Sequence, residues 1–388
     1  MQTTRWLHAI HQWTGLISGL NVLVLSLTGA FLVFAEDIEH FFAATSGTVV
    51  AEIPSTSQTP VQDAIAQLTE RHPGAIPAAV RPLEPGATQV VIALLERPDT
   101  FHRYAFDPGS GEVRIDVQGW PAKLYEFMLH LHTDLFLGIM GGLFLGGIAI
   151  LFLVSTLTGI IIYAPFMKKA IFGAIRVGRG VRHTSADVHK LVGASALAFN
   201  LMMALTGIAL TFGLLGARVW AAGEVRDRTQ QAAPVAAAKG AVAGRAPVDE
   251  VLEHAAAVHP EAPVSSVVFP GGFQGPNHYF CFHEREGRLQ KHLPVYSLIP
   301  ADNPAAAEDV DVPLWIDIAM FCVPVHFGNY GGLLLKFVYC ALGLGSGLLT
   351  VTGSLVTLAR WRRKLRARRV NASRRTRVLQ PDVAVADT

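Results

Sequence analysis

The sequence predicts an α-helical integral membrane protein: four transmembrane helices arranged as two parallel repeats, with two small α+β modules outside the bilayer. Three observations predict it. Of 388 residues only 16% are charged while 51% are hydrophobic, a balance outside the usual soluble range. Four apolar stretches each reach the roughly 20 residues that a bilayer core requires. Histidines and Thr-Gly pairs recur along the chain at matching intervals.

Residues 1–35 hold the N-terminus and the first span, about Trp13–Phe34. Its apolar run is too long for a signal peptide and starts in a histidine-bearing segment, so it reads as a retained helix. Residues 36–128 read as the first outer module. Val61–Arg71 has the pattern of an amphipathic helix stopped at His72-Pro73. Strand-like runs follow at Gln89–Leu95, Arg103–Phe106 and Glu112–Val117, the last two separated by the turn Asp107-Pro108-Gly109-Ser110-Gly111. Residues 129–165 contain the second span, Leu135–Tyr163, and 166–188 form a basic loop. Residues 189–215 contain the third span, read as Lys190–Leu215. Residues 216–322 form the second module. In it an Ala/Gly linker (Gln230–Arg245) precedes a helix at Val248–Val258 and strands near Ser265–Phe269 and His278–His283. Residues 323–360 carry the fourth span, Gly332–Leu358, and 361–388 a basic tail.

Cations orient these pieces. Lys168, Lys169, Arg176, Arg179 and Arg182 follow the second span, and Arg360, Arg362, Arg363, Lys364, Arg366, Arg368 and Arg369 follow the fourth. The positive-inside rule puts both segments in the cytoplasm, hence both termini inside and both modules on the outer face. Beside a span, such a tail is a topology anchor and not a nucleic-acid site. Cys281, Cys322 and Cys340 have no metal-site or disulfide spacing. No Walker motif is present, and Gly343-Leu-Gly345-Ser-Gly347 lies within a span, where it reads as helix packing.

The repeat is carried by intervals. His11 precedes Gly29 by 18 residues, as His189 precedes Gly207; His132 precedes Gly159 by 27, as His326 precedes Gly353. Gly138 follows His132 by six, as Gly332 follows His326. Each half is thus helix, outer module, helix, and the halves are related about an axis along the membrane normal.

This topology sets His11 and His189 near the cytoplasmic face and His132 and His326 near the outer face. Ionisable groups in a bilayer mark functional sites, and paired imidazoles on facing helices suit bis-histidine ligation of two b-type haems. Gly15, Gly19, Gly193, Gly138 and Gly142 would clear room for the flat macrocycle. Taken singly, a boundary histidine also reads as an interfacial hydrogen-bonder and a spaced glycine as a packing site. His8, His130 and His183 are secondary candidates; His130 points to a different side of its helix from His132.

At these residues the chain resembles the PepSY-associated transmembrane family of iron-regulated inner-membrane proteins. The resemblance rests on His11-Gln-Trp13-Thr-Gly15 with Leu27-Thr28-Gly29, and on Leu131-His132-Thr-Asp-Leu135 with Leu157-Thr158-Gly159. It continues in Val188-His189-Lys-Leu-Val-Gly193 with Leu205-Thr206-Gly207, and in Val325-His326-Phe-Gly328 with Thr352-Gly353. The hairpin at Asp107–Val113 resembles that of a PepSY module. The resemblance implies a di-haem ferric-siderophore reductase, which reduces an Fe(III) chelate at the periplasmic face with electrons from the cytoplasmic side. The siderophore and a separate donor, a flavin reductase or a membrane quinol, would be its partners beside the lipid. Arg81, Arg103 and Arg285 are candidate contacts for an anionic chelate. A redox partner for another periplasmic acceptor, and a non-enzymatic binding or transport protein, remain alternative readings.

Overall fold

The computed structural model describes residues 2–35, 37–38, 49–54, 60–81, 90–97, 100–115, 120–167, 175–176, 178, 180–230, 245–271, 275, 277–285 and 293–379. Lys168, Lys169 and Arg179 of the basic loop and nearly all of the Ala/Gly linker lie outside them. In chain order the elements are α1 (Gln2–Leu32), β1 (Val49–Glu52), α2 (Pro60–Arg71), β2 (Ile76–Arg81), β3 (Val90–Arg97), β4 (Thr100–Phe106) and β5 (Glu112–Ile115). There follow α3 (Trp120–Thr133), α4 (Gly138–Met167), α5 (Val181–Ser195), α6 (Leu197–Trp220), a π-helical turn (Ala221–Val225), α7 (Arg226–Gln230) and α8 (Val248–Val258). The chain continues through β6 (Val264–Val268), β7 (His278–His283), β8 (Val295–Pro300), β9 (Glu308–Asp309), α9 (Leu314–Phe327) and α10 (Gly332–Leu379).

Four helical stretches are long and apolar enough to cross a membrane: Thr4–Leu32, Gly138–Pro165, Leu197–Thr229 and Gly332–Arg368. Two of the expected spans are bounded differently. Lys190–Leu215 is two helices, α5 and α6, which meet at Ala196. Leu135–Tyr163 begins inside a break, because Leu135 and Phe136 have φ of 53° and 61°. The chain divides into two compact units: a helical unit (1–33, 128–208 and 333–388) and a sheet unit (34–127 and 209–332).

In the helical unit α1 packs on α4. Small polar residues are buried along the helices, among them Ser18, Thr28, Ser155, Thr158, Asn200, Ser346 and Thr352. Short side chains let membrane helices approach closely, and the hydroxyls satisfy themselves on their own helix. Thr158 bonds the Val154 carbonyl at 2.7 Å and Thr352 that of Leu348 at 2.8 Å.

The sheet unit holds one nine-stranded antiparallel sheet in the order β1-β5-β4-β3-β2-β6-β7-β8-β9. α2 and then β2–β5 supply one end; α8 and then β6–β9 supply the other. The two modules expected from the sequence share this sheet: β2 pairs with β6, Ala79 opposite Val268 and Val80 opposite Val267. An edge strand leaves a row of unpaired N–H and C=O groups, and joining two such edges satisfies both. α2 buries Ala64, Ile65 and Leu68 and α8 buries Val248, Val251 and Ala255 in one shared core. Each large aliphatic among them contributes roughly 1.5–3 kcal/mol. The Gln62 side chain accepts from the Val248 N–H at 2.9 Å. The Asp107–Gly111 turn is fixed by its glycine: Gly111 has φ 77°, and a Cβ there would stand 2.0 Å from the Ile53 carbonyl oxygen.

Candidate functional site

His11 lies on α1 against α4. Its Nδ1 is 2.8 Å from the Ser155 carbonyl oxygen and 3.5 Å from the Thr158 hydroxyl. A carbonyl only accepts, so Nδ1 carries the proton and Nε2 keeps its lone pair. The approach depends on Gly159, where a Cβ would stand 3.1 Å from His11 Cε1. His189 on α5 repeats the arrangement against α10. Its Nδ1–H donates to the Leu349 carbonyl at 3.0 Å, Thr352 Oγ1 stands at 3.2 Å, and Gly353 leaves the space beside Cε1.

His132, at the end of α3, does the same against α1. The Thr28 hydroxyl accepts from its Nδ1 at 2.8 Å, having donated its own proton to Val24, and the Leu25 carbonyl also accepts from the ring. Gly29 gives the clearance, with a Cβ there 3.1 Å from His132 Cε1. Three of the four Thr-Gly pairs that mark the repeat in the sequence, Thr28-Gly29, Thr158-Gly159 and Thr352-Gly353, are therefore histidine seats. Sequence reasoning missed that role, although the recurrence of Thr-Gly in every span beside the recurring histidines was a signal that the two belong together.

The rings of His11 and His189 are neighbours in an edge-on arrangement, with centroids 6.2 Å apart and planes at 75°. Among the described residues neither Nε2 has a hydrogen-bond partner, and both histidines line one cavity of about 430 Å³. That cavity also admits Gly15, Gly193, Gln12, Tyr163, Asn200 and Arg360. His8, one turn before His11, lines it too.

The other expected pair is divided between the units, His132 in the helical and His326 in the sheet unit. His326 stands one residue before the end of α9, which Gly328 caps with φ 69° and an N–H to the Pro324 carbonyl. His130 is engaged locally, its Nδ1 3.1 Å from Asp134 Oδ2 and its ring on Phe136. His183 sits in the first turn of α5, its N–H on the Gly180 carbonyl. Gly138 starts α4 with φ 57°, and a Cβ there would touch nothing within 4 Å.

Just before His189, the buried Asp187 accepts two hydrogen bonds from the Arg176 guanidinium, each 2.8 Å. Arg176 holds its carboxyl down to about 2.

In the sheet unit, a second, open cavity of about 710 Å³ lies over β2, β3, β4, β6 and β7 and is also lined by Met320, Val323 and Pro324 of α9. Arg81 and Arg103 line it together, as does Glu284; Arg285 is not among its lining residues. Elsewhere in this unit His283 is fully buried, with Nδ1 3.0 Å from the Ala262 carbonyl and Nε2 2.8 Å from Ser297 Oγ. Burial lowers its pKa.

Four apolar helices and a histidine-lined bundle define a multi-pass membrane protein. The chain belongs to the family described as the PepSY-associated TM region, whose sequence model matches residues 8–360. Comparison with curated proteins gives no match.

Proposed function

We propose that the protein holds two b-type haems, one on His11 and His189 and one on His132 and His326, and carries electrons across a bacterial inner membrane to a periplasmic ferric siderophore. The observation that carries this reading is the neighbouring pair His11–His189, with both Nδ1–H groups committed and both Nε2 atoms turned loose. With metal–nitrogen bonds of about 2 Å on each side and half a ring beyond each, axial imidazoles stand about 6 Å apart. The 6.2 Å centroid separation fits that demand. A cavity of about 430 Å³ is of cofactor size.

A haem held there by His11 and His189 would supply a one-electron iron couple. The chain's own part is to fix each imidazole: the carbonyls of Ser155 and Leu349 set the tautomer, and the Thr-Gly seats set the ring orientation. The positive-inside pattern puts both termini in the cytoplasm, His11 and His189 on that side, and the sheet unit in the periplasm. Arg81 and Arg103 would bind the chelate in the sheet cavity. Each Fe(III) takes one electron and leaves as Fe(II), whose lower charge loosens its bonds to hard oxygen ligands. Electrons come from a separate flavin reductase or quinol. Another periplasmic acceptor would be served by the same histidines. The sheet cavity on its own would favour a non-enzymatic siderophore- or peptide-binding role.

The test is an optical spectrum of the detergent-purified protein, oxidised and then dithionite-reduced, with a pyridine haemochrome count. About two haems per chain and sharp low-spin bands are expected, and His11→Ala or His189→Ala should each remove one. A colourless protein after expression with ample haem would overturn the redox reading and leave the binding role.

A further inference from the structure

The His11–His189 cavity has a charge pattern that its histidines do not explain. Along α1 it extends from His8 to Ser18, about 15 Å at 1.5 Å per residue. Its deep end is neutral: Ser18 and Asn200 are almost fully buried, and the Ser346 hydroxyl donates to Asn200 Oδ1. The other end carries Lys190 and Arg360, and among the described residues no aspartate or glutamate lines the cavity. Asp187 lies 3.9 Å from Lys190, but it is held by the Arg176 guanidinium through both carboxylate oxygens, so its charge is already matched. Two permanent cations thus stand at the mouth of an apolar-walled cavity, and among the described residues the one carboxylate within ion-pair reach of Lys190, Asp187, is shared with Arg176. Lys190 is half-exposed and Arg360 exposed, which makes them a rim and not a floor.

We propose that Lys190 and Arg360 form an anion-binding rim that receives the two carboxylates of a flat amphiphilic dicarboxylate and so decides which edge enters the bundle first. This rests on the haem reading, since haem carries two carboxylates on one edge of an otherwise apolar ring. The acidic edge stays at the rim, where Arg360 offers a forked donor and Lys190 a point charge. The apolar edge would then lie against the apolar lining, to which Leu197 and Phe152 belong. A lipid phosphate has the same attraction for such a rim, and the arms below separate the two.

The test uses the full-length protein in phospholipid-free detergent and follows haem transfer to excess apomyoglobin. The variants are Arg360→Gln, the double Lys190→Gln/Arg360→Gln, and the conservative Arg360→Lys. The double variant should release haem from the His11–His189 site about tenfold faster or more, Arg360→Gln less so, and Arg360→Lys should recover most of the difference. Loaded instead with iron protoporphyrin dimethyl ester, wild type and double variant should release it at one rate, because the carboxylates are gone. Equal release of the free acid by wild type and double variant would overturn the rim while leaving the haem reading intact. Loss of co-purifying phospholipid phosphate without faster haem release would also overturn it and assign the rim to lipid. Wild type that holds no haem at all would remove the haem reading and the rim with it.

Discussion

At the residue scale, the hydroxyl beside each seated imidazole stands at a graded distance. It is 2.8 Å for Thr28 and His132, 3.2 Å for Thr352 and His189, and 3.5 Å for Thr158 and His11. Hydrogen bonds fade across that range, so replacement by valine should matter in the same order. Thr28→Val should loosen its histidine most and Thr158→Val least, read as haem content and bandwidth of the purified variants. The glycines should be stricter. A valine at Gly159 or Gly353 places branched carbons where the imidazole edge already stands 3.1 Å from a Cβ, so each should empty the His11–His189 site while size-exclusion behaviour persists. Unchanged haem content in both valine variants would refute the seat. The spacing of histidine and Thr-Gly was legible in the sequence, but which helix seats which histidine was not. Intervals along one chain do not say which neighbour's glycine faces an imidazole.

At the element scale, the six-residue intervals His132–Gly138 and His326–Gly332 mark helix breaks. Gly138 and Gly332 both begin helices at left-handed φ, 57° and 70°. In the first break Leu135 and Phe136 are left-handed as well, at about 1–2 kcal/mol each for residues with a Cβ. Asp134 offsets this, with its carboxylate accepting from the Phe136 N–H at 2.8 Å and its carbonyl from Leu137 at 2.9 Å. Gly141 closes the turn so tightly that a Cβ would stand 1.7 Å from the Asp134 carbonyl oxygen, whereas Gly147 has nothing within 4 Å. Gly141→Ala should therefore lower the melting temperature in detergent sharply. Gly147→Ala should leave it unchanged or stabilise by about 0.5–1 kcal/mol through helix propensity. The helices themselves were readable because apolar length is a strong signal. The breaks were not, since Leu135 and Phe136 look like ordinary apolar residues of a span.

At the scale of the whole molecule, the helical and sheet units have different chemistry in their cores and should respond differently to acid. β7 carries His278 and His283, both with pKa lowered below the ordinary 6.5, first by burial. Below that value the unfolded chain takes up protons that the folded sheet refuses, so stability rises with pH through this window and is lost as pH falls. Thermal melts of the purified protein should show the sheet unit weakening between pH 7.5 and 5.5, and His283→Gln should flatten part of that slope. A melt independent of pH would mean that neither imidazole is held neutral. Strands β4 and β7 were legible from alternation and β-branched or aromatic content. That both halves share one sheet was hidden, because Ala79, Val80, Val267 and Val268 carry no pairing code and hydrophobic patterns do not name a partner strand.

The β2–β6 seam also puts a clock on synthesis. Ala79 meets Val268, 189 residues later, and at about 5–20 residues per second the ribosome takes about 10 to 40 s to deliver that partner. Throughout the wait the first half of the sheet presents a bare edge to every other nascent copy of the chain. Expression rate, and not only fold stability, then governs how much of this protein matures and how much is lost to strand-by-strand aggregation.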